Sequence, residues 1–136
     1  MNPTQFAGIK ILVVDDDAEM RDAIAFDLRK RGGTIFTAAN GSEALAIALE
    51  SPIDIVVSDV RMPGGDGIFL LQQLRSRHPT LPIVLLCTGF ADLTESEALK
   101  LGASALIEKP INRKLMMSII ENAAQAMAAR PNKTAI

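Results

Sequence analysis

Five side chains in this sequence have the types and setting needed to move a phosphoryl group: Asp15, Asp16, Asp59, Thr88 and Lys109. Each follows directly on an apolar run: "IKILVV" leads into Asp15-Asp16-Asp17, "IDIVVS" into Asp59, "PIVLLC" into Thr88-Gly89, and "ASALIE" into Lys109-Pro110. A single acid in such a place has a plain reading, because Asp is favoured in turns and helix caps. The set demands more. If the first and third runs are neighbouring strands, their ends lie about 4.8 Å apart. Carboxylates at that range repel by a few kcal/mol at an effective dielectric near about 20. Either protonation with a raised pKa or a hard cation must offset this. Mg2+ suits one or two carboxylates together with waters and a phosphate. Lys109 would add a fixed positive charge and Thr88 a hydroxyl donor. That inventory fits in-line phosphoryl transfer, with Asp59 as nucleophile, the metal and Lys109 neutralising the equatorial oxygens, and Thr88 bonding one of them. The glycines of "MPGGDG" are expected to let the loop pass close to the phosphoryl group.

Elements must deliver these residues to one place. Four apolar runs, 9–14, 53–58, 82–87 and 103–108, and a weaker one at 34–39, have strand length. The strongest are continuous, as for strands covered on both faces. Helical patterns separate them. Met20, Ala23, Ile24 and Leu28 share a face in 19–31, and Ile68, Leu71 and Leu74 repeat in 66–77. Leu115, Ile119, Ala123 and Met127 form a stripe in 112–128. Asn40 with Glu43 has capping-box spacing at the start of 41–50, and 92–101 begins acidic and ends on Gly102. The order (βα)5 predicts an α/β domain, a doubly wound parallel sheet with right-handed crossovers. Ligands of such sheets bind outside the carboxyl ends of the strands, where the acids, Thr88 and Lys109 stand.

Bulk properties narrow the function. The chain has 136 residues, 49% of them apolar and 22% charged, which fits one ordinary globular domain. A formal charge of −2 gives no basic field for nucleic acid, so direct binding to it is not expected. The single cysteine, Cys87, sits in an apolar run and is expected to be buried packing. No run approaches the ~20 apolar residues of a membrane span, and no leader pattern precedes residue 9. The expectation is a cytoplasmic protein with a lead-in over 1–8, a domain over 9–129 and a tail over 130–136.

The motifs "ILVVDDD", "SDVRMPGGDG", "CTG" and "EKP", in this order and at these strand ends, resemble the receiver domain of bacterial two-component response regulators. The resemblance runs from about Ile9 to Met127. It implies a flavodoxin-like fold with strand order 2-1-3-4-5. It also implies Asp59 as phosphoacceptor, Asp15 and Asp16 as the acids that organise Mg2+, and the backbone carbonyl of Arg61 as a further ligand. Thr88 becomes the switch hydroxyl and Lys109 the characteristic lysine, followed by a cis peptide to Pro110. A histidine kinase or histidine phosphotransfer protein would donate the phosphoryl group. The domain would catalyse its own modification and pass a conformational change to an unknown downstream protein, through the last helices and strand. Without an effector domain in the sequence, the chain is expected to be a free-standing receiver or a piece of a larger regulator or hybrid kinase. Two positions depart from the family pattern: Leu106 stands where Tyr or Phe is frequent, and Ile111 where Phe is common. Phe90 is expected to influence how long the acyl phosphate survives.

Haloacid-dehalogenase-like phosphatases offer the competing enzymatic reading. They also use a Mg2+-assisted aspartate, but in a D-x-D-x-T/V motif after the first strand. Asp15 and Asp17 fit that spacing, while Glu19 fills the Thr/Val place. A flavin-binding protein is disfavoured, since three aspartates would repel its phosphate. Simpler roles are expected elsewhere: Asp17 as a helix cap, Asp54 and Asp66 at strand and helix starts, His78 near a helix end, and Met116, Met117 and Met127 as packing.

Overall fold

The computed structural model describes residues 4–63, 66–89 and 93–128. The alternation read from the sequence is present throughout: β1 (Lys10–Val14), α1 (Ala18–Lys30), β2 (Thr34–Ala38), α2 (Gly41–Glu50), β3 (Ile55–Asp59), α3 (Gly67–Arg77), β4 (Ile83–Thr88), α4 (Glu95–Leu101), β5 (Ala105–Glu108) and α5 (Arg113–Ala128). The strands form one parallel sheet in the order β2-β1-β3-β4-β5. The expected flavodoxin-like architecture is the observed one.

Period-two alternation sends successive side chains of each strand to opposite faces. Ile11, Val13, Ile55, Val57, Leu85, Cys87 and Ile107 meet α1 and α5 on one face, packed with Ile24, Leu28, Met116 and Ile120. Leu12, Val14, Val56, Val84 and Leu86 meet α2, α3 and α4 on the other, packed with Ala44, Leu70, Leu71, Leu74 and Ala98. Covering both faces explains why the strands read as continuous apolar runs. Met116, Met117 and Met127 are buried packing, as is Cys87.

Local signals set the helix starts. The side chain of Asp17 accepts from the N–H of Glu19 and Met20, that of Asn40 from Glu43, and that of Asp66 from Phe69. Each satisfies backbone donors that have no partner within the helix. α4 starts later than the expected 92, a residue outside the described ones. Thr94 and Glu97 form a reciprocal capping box there, and Gly102, at φ 106°, ends the helix. Asp54 binds the start of β1 through the Lys10 N–H at 2.8 Å. His78 follows the last turn of α3 and accepts the N–H groups of Thr80 and Leu81. Residues 4–8, read as a lead-in, form a turn whose Phe6 is fully buried against the α1 and α5 face. The tail over 130–136 lies outside the described residues.

Candidate functional site

β1 and β3 are hydrogen-bonded neighbours with Val14 opposite Ser58, so the next residues along, Asp15 and Asp59, emerge side by side. β4 flanks β3 on its other side, with Cys87 opposite Asp59 and Thr88 opposite Glu108 of β5. Asp15, Asp59 and Thr88 are only 4, 5 and 4% exposed, whereas Asp16 is open to solvent. One carboxylate oxygen from each of Asp15, Asp16 and Asp59 lies within 4.8 Å of the others. Lys109 closes the site from β5. Its Nζ stands 2.7 Å from Asp59 Oδ1, its own N–H donates to the Thr88 carbonyl at 2.8 Å, and its peptide bond to Pro110 is cis. The peptide from Leu81 to Pro82 is cis as well. Thr88 and Lys109 also line a cavity of about 420 Å³ with Gly89, Thr94, Glu95 and Glu108.

Electrostatics follow from burial. The Asp15 carboxyl is raised to about 7, first by desolvation and then by the hydrogen bond and negative charge of Asp59. A hydrogen bond from the Asp17 N–H and the Lys109 charge act in the opposite direction. For Lys109, burial pulls the ammonium down, but the hydrogen bond and charge of Asp59 outweigh it, and the net shift is upward. Burial, with the charge of Asp59 adding to it, pushes the Cys87 thiol up to about 12, so this sulfur is inert packing beside the site.

The structure therefore brings together Asp15, Asp16, Asp59 and Lys109, and places Thr88 on the adjoining strand end. Arg61 is exposed two residues past Asp59 in the loop that leads to α3. Phe90 lies outside the described residues, as do Gly64 and Gly65. Gly67 is described, and close packing against the main chain of Asp59 requires it to lack a side chain. A Cβ on Gly67 would sit 2.2 Å from the backbone oxygen of Asp59. The glycine lets α3 begin directly against the strand end that carries Asp59, with the Gly67 N–H bonded to Val60 O at 2.8 Å.

Residues 11–121 match the response regulator receiver domain family. The chain belongs to that family. It is 37% identical over 114 residues to the DNA-binding transcriptional regulator NtrC of Salmonella typhimurium, covering 83% of this chain and 24% of NtrC. To the transcriptional regulatory protein FixJ of Bradyrhizobium diazoefficiens it is 41% identical over 115 residues, covering 83% of this chain and 55% of FixJ. The receiver domain of the Francisella response regulator 1452 superposes with a TM-score of 0.80 at 28% identity, covering 88% of this chain and 98% of that one. The receiver thus spans about a quarter of the length of NtrC and about half that of FixJ.

Proposed function

We propose that this receiver accepts a phosphoryl group on Asp59 from a phosphohistidine of a kinase or phosphotransfer protein. The observation that carries the reading is one buried carboxylate, Asp59, held 2.7 Å from an ammonium and sharing its surroundings with two further acids. The Asp59 carboxylate attacks phosphorus in line, the P–N bond breaks, and the imidazole departs with the bonding electron pair. Lys109 sits where it can follow the charge of Asp59 onto a phosphoryl oxygen. Thr88 offers a hydroxyl to a second oxygen, from the far strand of the site.

The donor set fits Mg2+: the three side-chain donors are carboxylate oxygens, and burial beside Asp59 raises the Asp15 carboxyl, which a hard cation would oppose. Asp15, Asp16, Asp59 and the Arg61 carbonyl would hold it. When bound, the ion neutralises the acids and the phosphoryl oxygens. Asp17 speaks against the phosphatase alternative, because its carboxylate is occupied with capping α1 rather than facing the cluster. No described helix is long and apolar enough to cross a membrane. In this reading the domain acts as a switch that turns over only its own acyl phosphate. NtrC, a relative of which this receiver covers 24%, is a DNA-binding transcriptional regulator.

Incubation with acetyl phosphate and Mg2+, followed by intact mass, tests the assignment. The parent should gain one phosphoryl group and Asp59→Asn none. Uptake by the substituted protein, or a phosphoryl group mapped to Asp15, overturns it.

A further inference from the structure

Asp15 is restrained on three sides. Its N–H donates to Ala38 O at 3.1 Å, and its Oδ1 accepts the Asp17 N–H at 2.9 Å. Its carbonyl accepts Arg21 Nη1 at 3.0 Å. The first two bonds are local products of strand pairing and of the turn. The third comes from α1, whose side chains lean toward the helix N-terminus and so cover the segment before it. A long cationic side chain normally extends into water, yet that of Arg21 is only 20% exposed. Its nearest carboxylate, Asp22 Oδ1, is 4.0 Å from Nε on a side chain that is 75% exposed, an arrangement that contributes little. The guanidinium is therefore committed to a backbone oxygen at the point where β1 gives way to the acidic turn.

That oxygen belongs to the peptide joining Asp15 to Asp16. Asp16 is exposed, so the direction of its carboxylate depends on the backbone that carries it. We propose that Arg21 is a positioning residue for the cation site: by holding the Asp15 carbonyl, it fixes the plane of the Asp15–Asp16 peptide and aims both acids at Asp59. The proposal rests on reading the acidic cluster as a Mg2+ site. Mg2+ demands near-ideal octahedral geometry, so a small rotation of this peptide weakens binding, as loss of supporting contacts around a metal generally does.

The test is an amide-resolved NMR titration with MgCl2 for the parent, Arg21→Ala, Arg21→Lys and Asp16→Asn, alongside melting of the metal-free proteins. Arg21→Ala should raise the Mg2+ dissociation constant about tenfold, the low end for loss of a ligand-orienting contact, at a temperature where it is fully folded. Arg21→Lys, which can still donate to the carbonyl, should recover most of that loss. A constant within about twofold of the parent in folded Arg21→Ala overturns the proposal, whatever happens to the melting temperature; a merely structural residue would move only the latter. If Arg21→Ala does not fold, Arg21→Lys is compared with Arg21→Met, which has no donor, and equal affinities overturn it. Parent-like binding by Asp16→Asn instead sinks the cation reading itself, and the proposal with it.

Discussion

Gly67→Ala tests whether the strand that presents Asp59 and the helix after it are locked by the absence of one methyl group. At an ordinary helix start the substitution would be neutral or helpful, since Ala exceeds Gly in helix propensity by about 1 kcal/mol. Here the added Cβ would lie 2.2 Å from Asp59 O, 3.1 Å from Asp59 C and 3.2 Å from Leu86 Cδ2. Carbon–oxygen contacts settle near about 3.3 Å or beyond, so the backbone must open by roughly 1 Å. The obstacle is main chain at the end of a central strand and cannot rotate aside. Overpacking of this kind costs about 1–3 kcal/mol, and the Gly67 N–H bond to Val60 O is strained at the same time. With little or no propensity gain surviving the distortion, the melting temperature should fall by roughly 4–12 °C, at about 4 °C per kcal/mol for a domain of this size. Because the chain has neither Trp nor Tyr, far-UV circular dichroism is the readout. Phosphoryl uptake should also slow, since the displaced group carries Asp59. Gly89→Ala is the control: its Cβ would meet Lys109 Cβ and Cδ at 3.6 and 3.7 Å, ordinary contact distances, and should cost under about 1 kcal/mol. A Gly67→Ala protein as stable as the parent and phosphorylated at the same rate refutes the packing account.

Other consequences follow from single contacts. The folded state raises Asp15 from 3.8 to about 7, so between these values it binds a proton that the unfolded chain does not. Metal-free stability should therefore fall as pH rises across that window and level off above it, by no more than about 4 kcal/mol, with water at the open side of the site reducing the effect. Urea midpoints at pH 5 and 8 should show this slope in the parent and lose it in Asp15→Asn. Arg75 donates from Nε to Gly102 O at 2.9 Å and from Nη2 to Pro82 O at 2.8 Å. Arg75→Met should leave two half-buried carbonyls unpaired, cost about 2–3 kcal/mol, and speed hydrogen exchange in the last turn of α4. Asp17→Ala should cost about 1 kcal/mol as a lost cap while leaving phosphoryl uptake within about twofold; a large loss of uptake would revive the D-x-D reading.

Much of this architecture was legible because its causes are local. Strand length, burial on both faces and the caps at Asp17, Asn40 and Asp66 each leave a mark within a few residues. The acids, Thr88 and Lys109 could be gathered from far-apart runs because a parallel sheet has one ligand-binding edge. What escaped depends on long-range contact. Phe6 stands outside any periodic pattern, with nothing to show that it joins the core shared by α1 and α5. Nothing in the sequence around Arg21 or Arg75 marks them out, and only the tertiary structure supplies the carbonyls they satisfy. The Thr94–Glu97 capping box was visible in principle, as T-x-x-E. Asp92, the acid before it, suggested an earlier helix start. The sequence suggests that Gly67 clears room for a phosphoryl group, and only the tertiary structure shows that the main chain of Asp59 fills the space beside it.

The alternation that builds the two cores also constrains how the site can communicate. Asp59 continues the parity of Ile55 and Val57, toward α1 and α5, while Thr88 continues that of Val84 and Leu86, toward α2, α3 and α4. Lys109 follows Ile107 and shares the parity of Asp59; Leu106 shares that of Thr88 and packs against the core beneath α4. In the proposed function, a phosphoryl group held by Asp59 and Lys109 would engage one face of the sheet, and the hydroxyl of Thr88 would give it a foothold on the other. α4 follows β4 in the chain, and its cap residue Thr94 lines the same cavity as Thr88 and Lys109. With an aliphatic Leu106, the strand contributes packing volume there but no ring that could swing between inward and outward positions. In the proposed switch, a signal that passes through β5 would therefore need a route other than an aromatic ring at position 106.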